Sequence, residues 1–123
     1  MPKPEIEFTS SSSIIPSYLT PEDPACSGFS TLKILSRDPD TGDQTSLLNH
    51  PPGCHWGSPY CVHEFWEEAY ILKGRMYDKT LKKWFDAGHF CSRPPGMKHG
   101  PYQADEEHGC EELCYISYDK IKQ

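Results

Sequence analysis

The stretch YCVHEFWEEAYILKGRMYD runs from Tyr60 to Asp78 and carries a thiol, an imidazole and a carboxylate at Cys61, His63 and Glu67. Side chains of these three types bind divalent metal ions. Residues two apart on a β-strand point to the same face, so Cys61 and His63 would point together, and Glu67 shares their parity. A core thiol beside a solvated charge on an ordinary strand would give the same pattern. This stretch alone leaves both interpretations open.

A second stretch, GHFCSRPPGMKHGPYQ, runs from Gly88 to Gln103 and contributes another imidazole at His99. Pro94 and Gly96 precede this histidine closely. Proline fixes its own φ and glycine adopts conformations that other residues avoid, so Pro-Pro-Gly predicts a rigid turn. Such a turn can present His99 at the mouth of a strand, where a metal ligand needs to be held firmly.

The two stretches together resemble the paired motifs of the cupin superfamily. In those motifs His-x-His and a later Glu of the first stretch join a His that follows Pro-x-Gly in the second. WEEAYILKGRMYD and RPPGMKHGPY are most similar to the small ChrR-like cupins. The resemblance implies an all-β fold, a single double-stranded antiparallel β-barrel of the cupin jelly-roll type. It also implies that His63, Glu67 and His99 bind one divalent metal ion.

The chain departs from the cupin pattern at three places. Cys61 stands where the first histidine of His-x-His belongs, Gln103 replaces a final Asn, and the glycines before Cys61 are Gly53 and Gly57, out of the usual register. A thiolate binds Zn²⁺ or Fe²⁺ well, so Cys61 is either a fourth metal ligand or a lost ligand that leaves three. A third hypothesis is that His55 supplies the missing imidazole.

The rest of the sequence predicts short antiparallel strands. FSTLKILSRD and QTSLLNH flank the turn PDTGD, EEAYILKGRMYD and KKWFDAGHFCSRPPG flank KTLK, and GCEELCYISYD forms a late strand. β-prone runs separated by Gly- and Pro-containing turns are typical of barrels and sandwiches. No run has a helical apolar stripe of useful length.

The chain divides into an arm, one domain and a tail. Residues 1–28 are rich in Ser, Pro and Thr and predict an N-terminal arm that is partly ordered or contacts a dimer partner. Residues 29–118 are expected to form the cupin domain and residues 119–123 a C-terminal tail. A homodimer is expected because the arm carries apolar side chains that a small monomer can hardly bury: Ile14, Ile15, Tyr18 and Leu19.

Composition narrows the possible partners and compartment. The 123 residues suit one domain, and 12 Lys and Arg against 18 Asp and Glu give a net charge of −6 without a basic block. Nucleic acid is therefore not expected as a partner. No apolar run approaches the about 20 residues that span a bilayer, and the N-terminal residues lack a secretory pattern. We expect a soluble cytoplasmic protein whose six cysteines are free thiols, with no membrane partner.

Aromatic and cationic residues near the two motifs are candidates for a substrate cavity. Arg93 and Lys98 are cations that could hold a carboxylate or an enolate, and Arg93 and Tyr102 are the candidate catalytic residues. His89 alternates away from the expected ligand side. The candidate lining residues are Trp56, Phe65, Tyr70, Phe90 and Tyr102.

Three functions fit such a site. The first is a dioxygenase that uses Fe²⁺ and acts on a small molecule chelating the ion through a carbonyl and a nearby oxygen. The second is a lyase, decarboxylase or isomerase without redox change, using Zn²⁺, Ni²⁺ or Mn²⁺ to polarise a carbonyl. The third is a zinc-binding sensor without catalysis, with which a cysteine ligand is compatible.

Overall fold

The computed structural model describes residues 3–19 and 29–118. Within these ranges the chain forms a 3-10 turn at Ser11–Ser13 and nine strands. None of the helical structure there has the length and hydropathy needed to cross a bilayer. The strands are β1 Ser17–Leu19, β2 Ser30–Arg37, β3 Gln44–His50, β4 His55–Trp56, β5 Trp66–Asp78, β6 Lys83–Asp86, β7 Phe90–Arg93, β8 Tyr102–Ala104 and β9 Cys110–Ser117.

All strand pairs are antiparallel, and β5 belongs to both halves of the barrel. Its first part pairs with β9 on one side and with β7 on the other. Beyond β9 the sheet continues through β3 and β2 to β1. Its last part pairs with β6 and with β8, and β8 pairs with β4. The sheet therefore curls around one interior, and the predicted all-β antiparallel barrel is confirmed.

Gly74 marks the point on β5 where the chain passes from one half to the other. It has φ of +69°, and a Cβ atom there would collide with the carbonyl of Gly109 in the turn before β9. Only glycine allows the backbones to approach this closely at such a φ. The close approach brings the end of β5 against the start of β9.

The two predicted hairpins are present. Arg37 pairs with Gln44 around PDTGD, and Asp78 pairs with Lys83 around KTLK. In the second hairpin the Asp78 carboxylate accepts from the backbone N–H groups of Thr80 and Leu81, at 2.9 and 3.0 Å. Short polar side chains that bond to the next turn in this way set the turn geometry.

The N-terminal arm contributes an edge strand. β1 pairs with β2, so Tyr18 lies opposite Thr31. Several apolar side chains of the arm are nevertheless exposed, among them Phe8 and Ile15. Residues 20–28 lie outside the described ranges, and the arm boundary at residue 28 stays a prediction.

The apolar core is small and lies beside polar side chains. It is a cluster of five buried residues, Ile71, Met76, Tyr102, Ala104 and Cys110. Several polar or charged side chains are buried as well: Ser30, Ser46, His50, Asp78, His99, Asp105 and Glu112. Burying a polar group costs free energy unless it is hydrogen-bonded. The number of buried polar side chains therefore indicates that the interior does more than pack the fold together.

The cysteines differ from the expectation at one position. Cys61, Cys91, Cys110 and Cys114 are free thiols, whereas Cys54 is disulfide-bonded. The expectation of free thiols is therefore wrong for Cys54, since linear spacing does not reveal which sulfur atoms the fold brings together. Burial raises the pKa of the Cys110 and Cys114 thiols far above their usual range, so both stay protonated.

Candidate metal centre

Three side chains from the two cupin-like stretches meet inside the barrel. His63, Glu67 and His99 each offer a ligand atom, and these atoms all lie within 4.8 Å of one another. Nε2 of His63 is 4.0 Å from Oε2 of Glu67, and Nε2 of His99 is 3.7 Å from Oε1 of the same carboxylate. The three ligand atoms are thus close enough together for one ion to bind all of them.

Different local structures hold the three side chains. Glu67 lies near the start of β5, between β9 and β7. His99 sits in an isolated bridge with Cys61, whose N–H donates to the His99 carbonyl at 2.7 Å. Residues 62–65 form no strand, so the expected strand through Cys61 and His63 is wrong; the His63 carbonyl instead accepts from the N–H of Gly96 at 2.8 Å. The Pro-Pro-Gly turn thereby anchors the loop carrying His63.

The His99 ring has one satisfied and one unsatisfied nitrogen. Nδ1 lies 2.6 Å from the Tyr102 hydroxyl, whereas buried Nε2 has no hydrogen-bond partner within residues 3–19 and 29–118. Burial, reinforced by the charges of Arg93 and His63, lowers the pKa of His99 to about 4. The ring is neutral at neutral pH, so Nε2 can offer a lone pair to a cation while Nδ1–H donates to Tyr102. The donor set therefore fits a divalent metal ion.

Arg93 is a cation in direct contact with one of the three side chains. Its Nη1 donates to Oε1 of Glu67 at 3.1 Å, and its Cζ lies 5.5 Å from the centre of the Tyr102 ring. Both side chains of the Arg93–Glu67 pair are mostly buried. The ion pair holds Glu67 in place and puts a positive charge at the cavity wall, where a bound anion would meet it.

Two further predicted ligands lie near the cluster without joining it. Cys61 lines the same cavity as the three side chains, but its Sγ lies 4.0 Å from the Gly57 carbonyl and is not part of the group of mutually close ligand atoms. His55 pairs with Gln103 on β8, and its Nδ1 lies 2.7 Å from Nζ of Lys79. The part that Cys61 plays stays a prediction.

Two cavities flank the cluster. The larger has a volume of about 300 Å³, within the range of small-molecule sites, and its wall is largely apolar, with Phe85, Phe90 and Met97 among the lining residues. The smaller, of about 160 Å³, contains His63 and Glu67. The two share a wall made of Met76, Arg93, His99 and Glu112. A molecule in the larger cavity can therefore touch the edge of the candidate metal centre.

The other predicted lining residues divide among several positions. Trp56 and Tyr102 line the smaller cavity and Phe90 the larger, whereas Tyr70 is exposed on β5. Phe65 stacks on His63 with ring centres 4.6 Å apart and nearly parallel planes. Lys98 lines the larger cavity with its Nζ 4.8 Å from the Tyr60 ring centre, and His89, which was expected to point away, lines it too.

Three buried polar residues of the interior were not singled out from the sequence. Ser30, His50 and Glu112 form a hydrogen-bonded chain along the wall of the smaller cavity. One signal was present: Glu112 shares the inward parity of β9 with Cys110 and Cys114, which places a carboxylate between two buried thiols. His50 ends its strand after an unremarkable run and gave no signal.

Comparisons with known proteins agree with this architecture. The family model of the ChrR cupin-like domain matches residues 23–117. No curated protein sequence matches the chain significantly. The polyketide cyclase RemF from Streptomyces resistomycificus is 15% identical over 96% of this chain and 83% of its own, with a TM-score of 0.70.

Two other solved structures share the fold. An acetylacetone dioxygenase from Acinetobacter johnsonii is 17% identical over 96% of this chain and 79% of its own, with a TM-score of 0.63. The complex of SigE with the anti-sigma ChrR from Rhodobacter sphaeroides matches at 24% identity over 72% of this chain and 44% of that chain, with a TM-score of 0.55. At these identities the likeness shows the fold alone.

Proposed function

The chain belongs to the family of ChrR cupin-like domains, and from that membership we propose that it is a metal-dependent enzyme with one divalent ion held by His63, Glu67 and His99. The observation that carries the proposal is the buried Nε2 of His99, which faces Glu67 at 3.7 Å and has no hydrogen-bond partner among the described residues. A buried nitrogen left without a partner costs free energy, and coordination of a cation would offset that cost.

The proposed reaction is a dioxygenation of a small organic molecule that chelates the ion through a carbonyl and a nearby oxygen. Fe²⁺ bound by two imidazoles and a carboxylate would supply polarisation of the carbonyl and activation of dioxygen. The apolar cavity takes the body of the substrate and keeps water away from it. Arg93, at the shared wall, is placed to stabilise negative charge that develops on the substrate. The fold shared with an acetylacetone dioxygenase supports this choice.

Two alternatives keep the same ligands but change the chemistry. A non-redox lyase, decarboxylase or isomerase would use Zn²⁺, Ni²⁺ or Mn²⁺ in the same place, and the fold shared with a polyketide cyclase supports it. A zinc-binding sensor without catalysis is supported by Cys61, which lines the same cavity as the three proposed ligands and could complete a closed four-ligand site.

The test begins with metal analysis of the protein purified without added metal. Anaerobic reconstitution with Fe²⁺ and an oxygen-uptake assay on a panel of β-diketones and aromatic hydroxyketones then follow. Replacing His99 by Ala should remove most of the bound metal, while the matched variant His108→Ala, at an exposed surface histidine, should retain it. Full metal in His99→Ala would refute the site. Iron-loaded protein that consumes no oxygen with any member of the panel would exclude the dioxygenase in favour of the non-redox alternatives.

A further inference from the structure

Three buried polar side chains, joined by hydrogen bonds, lie beside the candidate metal centre and supply none of its proposed ligands. Oε2 of Glu112 lies 2.8 Å from Nε2 of His50, and Nδ1 of His50 lies 2.8 Å from the hydroxyl of Ser30. All three residues are less than 9% exposed. An ionised carboxylate can only accept, so His50 donates to Glu112 and the Ser30 hydroxyl donates to the other ring nitrogen when the ring is neutral.

The His50 imidazole is held in one orientation. The His50 ring stacks on the Trp56 ring with centres 3.6 Å apart and planes 3° from parallel. With both nitrogens hydrogen-bonded and one face covered, the ring cannot turn without losing several contacts at once. His50 therefore presents a fixed N–H to one oxygen of Glu112, and that fixes the carboxylate.

The other carboxylate oxygen of Glu112, Oε1, is held by a weaker hydrogen bond. The protonated Cys114 thiol donates to it at 3.9 Å, a long and weak hydrogen bond. Glu112 lies opposite Ile71 on β5 and is part of the wall that the two cavities share with Arg93 and His99. A ligand in the larger cavity can thus contact this carboxylate, the Arg93 guanidinium and the edge of the metal centre together.

We propose that Glu112 is the general base of the reaction and that His50 and Ser30 are its positioning residues. The substrate class is a carbon acid, a ketone with a proton on the carbon next to its carbonyl. The proton passes from that carbon to Glu112, the electron pair of the broken C–H bond forms the enolate, and the carboxylate becomes a carboxylic acid. Arg93 faces the enolate charge from the same wall.

This inference rests on the proposed function because the enolate forms on a substrate oriented by the metal centre. It adds a role that the ligands themselves cannot fill, since their lone pairs are directed at the ion. It applies to the oxygenase and to those lyases and isomerases whose reactions begin with removal of a proton next to a carbonyl, and not to a decarboxylase, in which a C–C bond breaks first. Proton abstraction by a positioned carboxylate typically contributes about 10²- to 10⁴-fold to the rate.

The experiment measures proton abstraction apart from any later step. Protein loaded with Zn²⁺ is incubated without oxygen in D₂O with 2-hydroxyacetophenone, and NMR follows exchange of the CH₂ hydrogens next to the carbonyl. Glu112→Gln should slow the protein-catalysed exchange by about 100-fold or more with its zinc content unchanged. The matched control is Glu111→Gln, the next residue on β9, which has the opposite parity and should exchange as the wild type does. Glu112→Asp should recover part of the rate.

A second readout separates positioning from mere structural support. His50→Ala removes the N–H that holds the Glu112 carboxylate in place, so the exchange rate should fall, and His50→Gln, whose side-chain amide can donate in its place, should recover part of that rate. An exchange rate unchanged in folded His50→Ala would remove His50 from the proposal. Thermal melting of each variant shows whether it is folded, and Glu112→Met, which also lacks a carboxylate, takes the place of Glu112→Gln if the latter is not.

Each remaining outcome bears on one proposal only. Wild-type exchange rates in folded Glu112→Gln would overturn the general base, as would zinc-loaded wild type that does not speed exchange. Failure of the metal site itself would be visible in the zinc content of the wild type and of His99→Ala, before any exchange is measured.

Discussion

Removing the hydroxyl of Tyr102 should weaken metal binding without touching a ligand. The phenol is 3% exposed and lies 2.6 Å from Nδ1 of His99, so Tyr102→Phe leaves a buried ring N–H that water cannot easily reach. Loss of such a partner behind a metal-bound imidazole typically costs about 10- to 100-fold in affinity. That range corresponds to about 1.4 to 2.7 kcal/mol at room temperature.

The assay is competition between the protein and a chromogenic chelator for Zn²⁺, read as an apparent dissociation constant. Tyr70→Phe is the matched control, since Tyr70 is exposed on β5, and it should bind Zn²⁺ as the wild type does. Circular dichroism and thermal melting check that both variants are folded. An affinity unchanged in folded Tyr102→Phe would refute the reasoning that Tyr102 orients His99 for a metal ion.

Three further predictions concern the thiol, an ion pair and the arm. Cys61→Ser should lower Zn²⁺ affinity by less than about tenfold because Sγ lies outside the cluster; a larger loss, with loss of a sulfur charge-transfer band from the Co²⁺ protein, would make the thiolate a ligand. Asp105→Asn should destabilise the fold by about 1–3 kcal/mol in urea titrations, because Asp105 accepts from Arg75 at 2.7 Å and from two backbone N–H groups of its turn. The Arg75 hydrogen bond, helped by those N–H groups, lowers the pKa of Asp105 from 3.8 to about 2. The stabilisation that ionised Asp105 gives the fold is therefore present above about pH 4 and is lost as pH falls toward 2. This part of the pH dependence of stability should be missing in Asp105→Asn. Deleting residues 3–15, which carry exposed Phe8 and Ile15, should convert the proposed homodimer to a monomer in sedimentation, and an unchanged mass would contradict that role.

The fold and the ligand cluster could be predicted because their signals are local. Each hairpin is encoded by a turn sequence between two β-prone runs, and PDTGD and KTLK close the expected pairs. His63, Glu67 and His99 stand in two short motifs whose resemblance to a known pattern places them together. Metal binding by these residues was expected from the sequence and stays a prediction.

The buried hydrogen bonds, the disulfide and the edge strand could not be predicted, because they depend on contacts between distant segments, which a single sequence does not reveal. His50 and Glu112 are 62 positions apart, and their hydrogen bond exists only because β3 pairs with β9 in one register. A shift of one residue would turn Glu112 to the opposite face. The disulfide of Cys54 and the pairing of β1 with β2 have the same origin. The irregular backbone around His63 reflects a loop anchored by the Pro-Pro-Gly turn.

The sharing of β5 between both halves of the barrel has a consequence for how such a protein can change over generations. Glu67 and the cavity residues Ile71 and Met76 lie on this one strand, so a substitution that shifts the strand disturbs metal ligand and pocket together. The part of the wall formed by Phe85 and Phe90, on the neighbouring strands β6 and β7, contributes no proposed ligand. New substrate preferences can therefore arise there by ordinary drift while the chemistry is inherited intact, and variation among close homologues should concentrate on that wall.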